Sequence, residues 1–176
     1  LTVISAYQVC NTRQDRDTKA RSMAAATQQQ AMIDISDPTS PMHPREKFRM
    51  DLLVFVQERQ HEGHEIILMG DFNEAYGSDP TGLMHIASTC ALVDILHQQI
   101  GTTQFATFSG GRKRIDYVLM SHVPAAAVRH CGYEPPTYRF QGDHRGFFLD
   151  FDTDRLFGNT TPVLAQPASR NIAISK

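Results

Sequence analysis

The sequence has no tryptophan, only three cysteines and little net charge, and each shortage narrows the reading. It also lacks long apolar runs: none approaches the roughly 18 to 20 residues a membrane helix needs, so no membrane partner is expected. No basic segment precedes the apolar start, which argues against a signal peptide. Cys10, Cys90 and Cys131 are odd in number, far apart and form no C-x-x-C pair. That spacing speaks against zinc and for reduced thiols in an intracellular protein, with nucleus and cytoplasm not distinguished. A formal charge of −2 gives no global basic field, so contact with nucleic acid would have to come from local clusters.

What is present is ordinary for a globular chain. Of 176 residues, 41% are hydrophobic and 20% charged, which suits one domain with a sizeable core. The first residue is Leu and lies inside a strand-like run, so the chain is expected to be a piece of something longer.

Residues 1–7 are apolar and β-branched and read as a buried strand. Residues 14–30 are Ala- and Gln-rich, a plausible helix, and a Pro/Ser-rich loop follows at 37–44. Pro44 suits a helix start, and Phe48, Leu52, Phe55 and Val56 recur at helical spacing until Gly63. Residues 65–69 form the next strand and run directly into Gly70-Asp71. Helical spacing returns over 81–96, as two short helices, before a loop-rich stretch at 101–111 with an extended piece at 105–108. Strands are predicted at 115–120, 127–133 and 146–151. The domain is placed at 1–157, with 158–176 as linker or tail.

Three acidic residues sit at strand ends: Asp71 after Ile66-Ile67-Leu68-Met69-Gly70, Asp116 inside Ile115-Asp116-Tyr117, and Asp143 just before the last strand. Function in α/β chains gathers at such ends. Hard carboxylate oxygens suit Mg2+ or Mn2+, which polarise phosphoryl oxygens. His144, beside Asp143, fits an acid, a base or a phosphate partner, and negative charge from Asp116 favours its protonated form. Each piece alone also fits a turn, a cap or an exposed loop. Their order and strand contexts together point to one metal-dependent phosphoester-hydrolysing site.

The stretches Ile67-Leu68-Met69-Gly70-Asp71-Phe72-Asn73, Arg114-Ile115-Asp116-Tyr117-Val118-Leu119 and Gly142-Asp143-His144-Arg145 resemble the signatures of the endonuclease/exonuclease/phosphatase superfamily. Ser5-Ala6-Tyr7 is similar to that family's strand ending in an active-site Tyr, and Thr107 to its Thr before the Ile-Asp-Tyr motif. The resemblance implies an α/β fold, a four-layer αββα sandwich of which this chain holds the C-terminal part. It implies that Asp71 orients or activates the attacking water and that Asn73 holds a phosphate oxygen and Asp71. Tyr7 would contact the phosphate or aid the leaving group. Asp143 would pair with His144 and approach the metal, His144 would hydrogen-bond the phosphate, and Asp116 would orient its neighbours. The cofactor implied is Mg2+, with Mn2+ as the other choice. The family's first-strand Asn and its principal metal-binding Glu precede the Tyr strand and have no counterpart here. The 176-residue chain alone is therefore expected to show little or no turnover. The family's Pro-Asn after the Tyr is also replaced, by Gln8-Val9-Cys10-Asn11, which makes Asn11 a displaced candidate for substrate contact.

Substrate is read from cations. Arg112-Lys113-Arg114 precedes Asp116 directly, and Arg13, Arg16, Lys19 and Arg21 follow the Tyr strand; both fit a phosphate backbone or a solvated surface. Thr107, Arg112 and Arg114 are the further substrate-binding candidates. The run from Asp143 to Asp152 is similar to endonuclease domains of retrotransposon-like elements, which implies DNA as partner and a reverse transcriptase domain in the same parent polypeptide. A phosphatase or phosphodiesterase acting on a phosphorylated lipid or inositol, and a non-catalytic remnant, are the alternatives.

Overall fold

The apolar residues of the central strands alternate in which layer they serve, and this alternation builds the molecule. The computed structural model describes residues 1–10, 27–28, 30–34, 42–101, 105–135 and 142–158. Strand β1 (Thr2–Tyr7) leads, across the intervening chain, to helix α1 (Pro44–His61) and strand β2 (Ile66–Asp71). Then come α2 (Leu83–Thr89), β3 (Val93–Asp94), α3 (Ile95–Ile100), β4 (Asp116–Met120) and α4 (His122–Ala127). Strands β5 (Val128–Tyr133) and β6 (Phe147–Phe151) and helix α5 (Thr153–Phe157) complete the described chain.

Four strands pair in the order β1-β2-β4-β3, with β1 parallel and β4 antiparallel to β2. On one face Ile66 and Leu68 of β2 and Tyr117 and Leu119 of β4 pack against Leu52 and Val56 of α1 and Leu83 and Ile86 of α2. On the other, Ile67, Val118 and Met120 meet Cys131, Phe147, Leu149 and Phe151 of the two-stranded sheet β5-β6. Period-2 alternation within β2 and β4 thus feeds two cores at once, which is why both strands read as continuous apolar runs. The described layers are helix, sheet and sheet, a mixed α/β fold. The outer side of the second sheet, with His130, Phe148 and Asp150, is exposed among the described residues.

Helix α1 begins where the sequence places it. Pro44 follows the N-cap His43, whose ring accepts from the Arg45 N–H while Glu46 reaches back to the His43 N–H, a capping box. Beyond Pro44, its buried positions are Arg45, Arg49, Leu52 and Val56, one helical stripe that is cationic toward the start and apolar toward the end. The predicted strands and long helix are all present. Three short elements add to them: β3 is only two residues long, and α4 and α5 span six and five. The helix predicted at 14–30 falls mostly outside the described residues, where 27–28 and 30–34 are helical; the tail beyond 158 lies wholly outside them.

Candidate active site

Sheet register lines up the first part of the site. Tyr7 is opposite Asp71 and Asp71 is opposite Asp116, at the end where β1 and β2 finish and β4 begins. Directly opposed residues point to one face. Counting back by twos through Met69 and Ile67, and forward through Val118 and Met120, that face is the one toward the second sheet. Gly70 makes the approach feasible: its φ is +146°, and a Cβ there would sit 1.9 Å from the Ala6 carbonyl oxygen.

His144 reaches the same space from the segment before β6. The Ser109 N–H donates to the Asp143 carbonyl and the Arg145 N–H to the Thr107 carbonyl, both at 2.7 Å, clamping the histidine on either side. Its Nδ1 lies 3.0 and 3.1 Å from the two Asp116 oxygens and its Nε2 lies 3.8 Å from Asp71 Oδ2. Burial lowers the His144 pKa, but the hydrogen bond to Asp116 and the charges of Asp116, Asp71 and Asp143 outweigh it, and the net shift is upward from 6.5. Burial raises the Asp71 pKa, helped by the charge of Asp116 and opposed by bonds from Asn73 and the charge of His144.

Asn73 turns back onto Asp71. Its φ of +48° is a left-handed conformation that Asn adopts more readily than most residues. Its N–H donates to Asp71 Oδ1 at 2.9 Å, and its Nδ2 donates to Asp71 Oδ2 at 3.1 Å and to the Gln8 carbonyl at 2.7 Å. Both amide protons therefore have a protein acceptor, and the bonds to Asp71 match the expected hold of Asn73 on that carboxylate. Tyr7 is half exposed at the rim. Burial first, then the Cys10 and Asp71 charges, raise its pKa above 10.0, so its phenol is an O–H donor at neutral pH.

Other predicted residues are placed differently. Thr107 is fully buried, and its hydroxyl accepts from the Ile115 and Asp116 N–H groups at 3.0 and 3.2 Å, which fixes the start of β4. Arg114 is turned inward: it pairs with Asp94 at 2.7 Å, donates to the Asp116 carbonyl and Tyr133, and lies over the Tyr117 ring. It holds the Asp116 carbonyl and is only 6% exposed, unlike the surface cation the sequence suggests. Arg112 and Lys113 are exposed, and Lys113 lines a polar cleft that also takes in Asn73 and Ser78. Asp143 is exposed, and the carboxylate hydrogen-bonded to His144 is Asp116 instead. Asn11 and the cations at 13, 16, 19 and 21 lie outside the described residues.

The sequence reading missed a buried ionic network just beneath. Glu74 pairs with Arg45 and Arg49, and it accepts from Gln8 and the Leu83 N–H. Gly82 leaves room for it, since a Cβ there would lie 2.3 Å from Glu74 Oε1. The signal was the stripe Arg45, Arg49, Leu52, Val56, which puts two arginines in line with the apolar face of α1.

Among the described residues, Asp71, Asp116 and His144 each offer a ligand atom, all within 4.8 Å of one another, a group that could hold a divalent cation. The two carboxylates suit Mg2+ or Mn2+, while the imidazole is the softer donor and already faces Asp116. Asp143 stands outside this set.

Comparisons with known proteins bear on the fold and the family. The 3'-5' exonuclease NExo from Neisseria meningitidis is similar at 19% identity with a TM-score of 0.57, covering 85% of this chain and 60% of that one. A Neisseria 3' phosphatase NExo variant bound to product DNA hairpin gives 20% identity, a TM-score of 0.55 and the same coverage. An AP endonuclease from Archaeoglobus fulgidus aligns over 59% of this chain and 55% of its own at 16% identity, with a TM-score of 0.43. The chain thus spans about 60% of the length of the Neisseria proteins it resembles in fold. No curated protein matches in sequence. The sequence model of the Endonuclease/Exonuclease/phosphatase family matches residues 4–151, and the chain belongs to that family.

Proposed function

We propose that this site hydrolyses phosphodiesters with a divalent metal, and that its substrate is DNA cut internally by an endonuclease of retroelement type. The observation that carries the reading is the convergence of Asp71, Asp116 and His144 on one space, with Tyr7 at its rim. Asp71 is fixed by two bonds from Asn73 and stays basic enough to take a proton from an attacking water. His144, whose protonated form Asp116 favours, donates to a phosphate oxygen and offsets charge as the phosphorane-like state develops. Tyr7 offers a second O–H donor there. A bound Mg2+ or Mn2+, held by the Asp71 and Asp116 carboxylates and water, would neutralise the phosphoryl oxygens.

Lys113, exposed and lining a polar cleft with Asn73 next to the site, supports a polyanionic substrate, because such a cation meets backbone phosphates without reading sequence. The DNA hairpin bound to the Neisseria relative, and the names 3' phosphatase and exonuclease, favour a second reading, in which the chain trims DNA 3' ends. A reverse transcriptase domain in the same polypeptide belongs to the retroelement reading alone.

The deciding experiment compares nicking of supercoiled DNA, release of 3' phosphate from a DNA oligonucleotide, and hydrolysis of an inositol phosphate, by the protein as its gene encodes it. We expect nicking that needs Mg2+ or Mn2+ and falls by about a thousandfold in His144→Ala and in Asp71→Asn, the scale of losing a stabilising donor or a positioned base. Phosphate release without nicking moves the reading to 3'-end processing. Inositol phosphate turnover without DNA cleavage overturns nucleic acid as substrate.

A further inference from the structure

Gln8 follows Tyr7 and is 1% exposed, at the place where β1 leaves the sheet. Strand alternation turns its side chain away from Tyr7 and toward the helix layer. An apolar residue would ordinarily pack there, and burying a carboxamide is costly unless every polar atom is bonded. Here every one is. Nε2 donates to the Phe72 carbonyl at 2.6 Å and to Glu74 Oε2 at 2.9 Å, and Oε1 accepts from Arg49 Nε at 3.2 Å. Its N–H donates to the Asp71 carbonyl at 2.9 Å. Its own carbonyl takes the second proton of Asn73 Nδ2 at 2.7 Å.

Three of those five bonds tie the end of β1 to the Asp71-Phe72-Asn73 turn, and the other two reach Glu74 and Arg49 beneath it. The Asn73 carboxamide has three anchors: its Nδ2 donates to Asp71 Oδ2 and to the Gln8 carbonyl, and its Oδ1 accepts from Cys10 Sγ at 3.2 Å. The Gln8 carbonyl is held by the Gln8 N–H on Asp71 and by the Gln8 side chain on Phe72, Glu74 and Arg49. We propose that Gln8 is a positioning residue: by holding its own carbonyl against Asn73 it sets the plane of the Asn73 carboxamide and so the direction of the Asp71 carboxylate. The functional weight of this rests on the hydrolytic reading of Asp71. The placement of Asn73 itself does not.

The test follows the Asn73 side-chain amide of the full chain by NMR, without substrate, in Gln8→Leu and in Gln8→Asn. Leu keeps the volume and deletes the side-chain bonds; Asn keeps the groups but withdraws them by one methylene. We expect the exchange of the Asn73 amide protons with water to rise about tenfold, the order of one hydrogen bond lost. On DNA, kcat should fall by a similar factor with KM nearly unchanged. If Gln8→Leu does not fold, Gln8→Asn gives the same reading. Unchanged Asn73 exchange in a folded variant overturns the proposal, even if that variant is less stable, because Gln8 is then only a stabiliser. Faster exchange in a protein that cleaves no phosphoester supports the positioning role and sinks the hydrolytic reading instead.

Discussion

Asp116 is the residue on which most constraints meet. Its N–H is taken by the Thr107 hydroxyl, its carbonyl accepts from Arg114 and Tyr133, and its carboxylate faces His144. The carboxylate was legible from the Ile115-Asp116-Tyr117 motif; its support was not. Arg114 looked like a surface cation in a run of three, and nothing local says that the third of Arg112-Lys113-Arg114 turns inward to Asp94, twenty residues away. Glu74 was missed for the same reason, since a buried charge and a solvated one look alike until the partner is placed. The pairing of His144 with Asp116 has a pH signature. A folded-state pKa raised above the unfolded value stabilises fully below pH 6.5 and loses that contribution as pH rises through the folded pKa. Asp71 is raised as well, so its ionisation also weakens the fold, in a lower window that opens above 3.8. Without metal, the urea midpoint should therefore fall as pH rises above 6.5, and His144→Gln should flatten that step. A slope that survives the substitution would place its cause elsewhere.

At the level of elements, β1, α1, β2, β4, β5 and β6 were readable because each is long enough to show its period. Strand β3 was not, since two residues carry no alternation and Val93-Asp94 is defined only by its pairing with Met120 and Leu119. Helix α4 was hidden because Pro124 and a run of alanines give no apolar stripe, and residue 127 was read into the following strand. Proline in the first turn lacks an N–H where none is needed. The junction that matters most for the site is between β1 and β2, where Gly70 lies against Ala6. Gly70→Ala would force a Cβ into the Ala6 carbonyl at a φ that L residues avoid. The expected cost is roughly 3 kcal/mol or more, combining backbone strain with overpacking. Chemical denaturation measures it, and a loss below about 1 kcal/mol would mean that β1 can shift aside without harm.

For the whole molecule, β1 is the edge of the first sheet among the described residues, and Val3, on the same face as Ile67, is 57% exposed. An unpartnered edge beside an exposed apolar residue templates pairing with another chain. Light scattering of the 176-residue chain should therefore show concentration-dependent association, reduced in Val3→Lys, because an edge lysine opposes strand addition. Equal association of both proteins would move the contact to another surface.

The parallel pairing of β1 with β2 joins segments far apart in sequence: Gln8 and Phe72 are 64 residues apart. Closing so long a loop has an entropic cost that grows only slowly with length but must be met before any contact across it forms. Helix α1 and the β2–β4 pair can assemble from nearer parts, whereas Tyr7 meets Asp71 only after the whole crossover is laid down. Non-local parallel pairing is slow for this reason. Tyr7 is thus expected to join Asp71, Asp116 and His144 late in folding, and a chain caught partway holds the three acid and imidazole groups without their phenol.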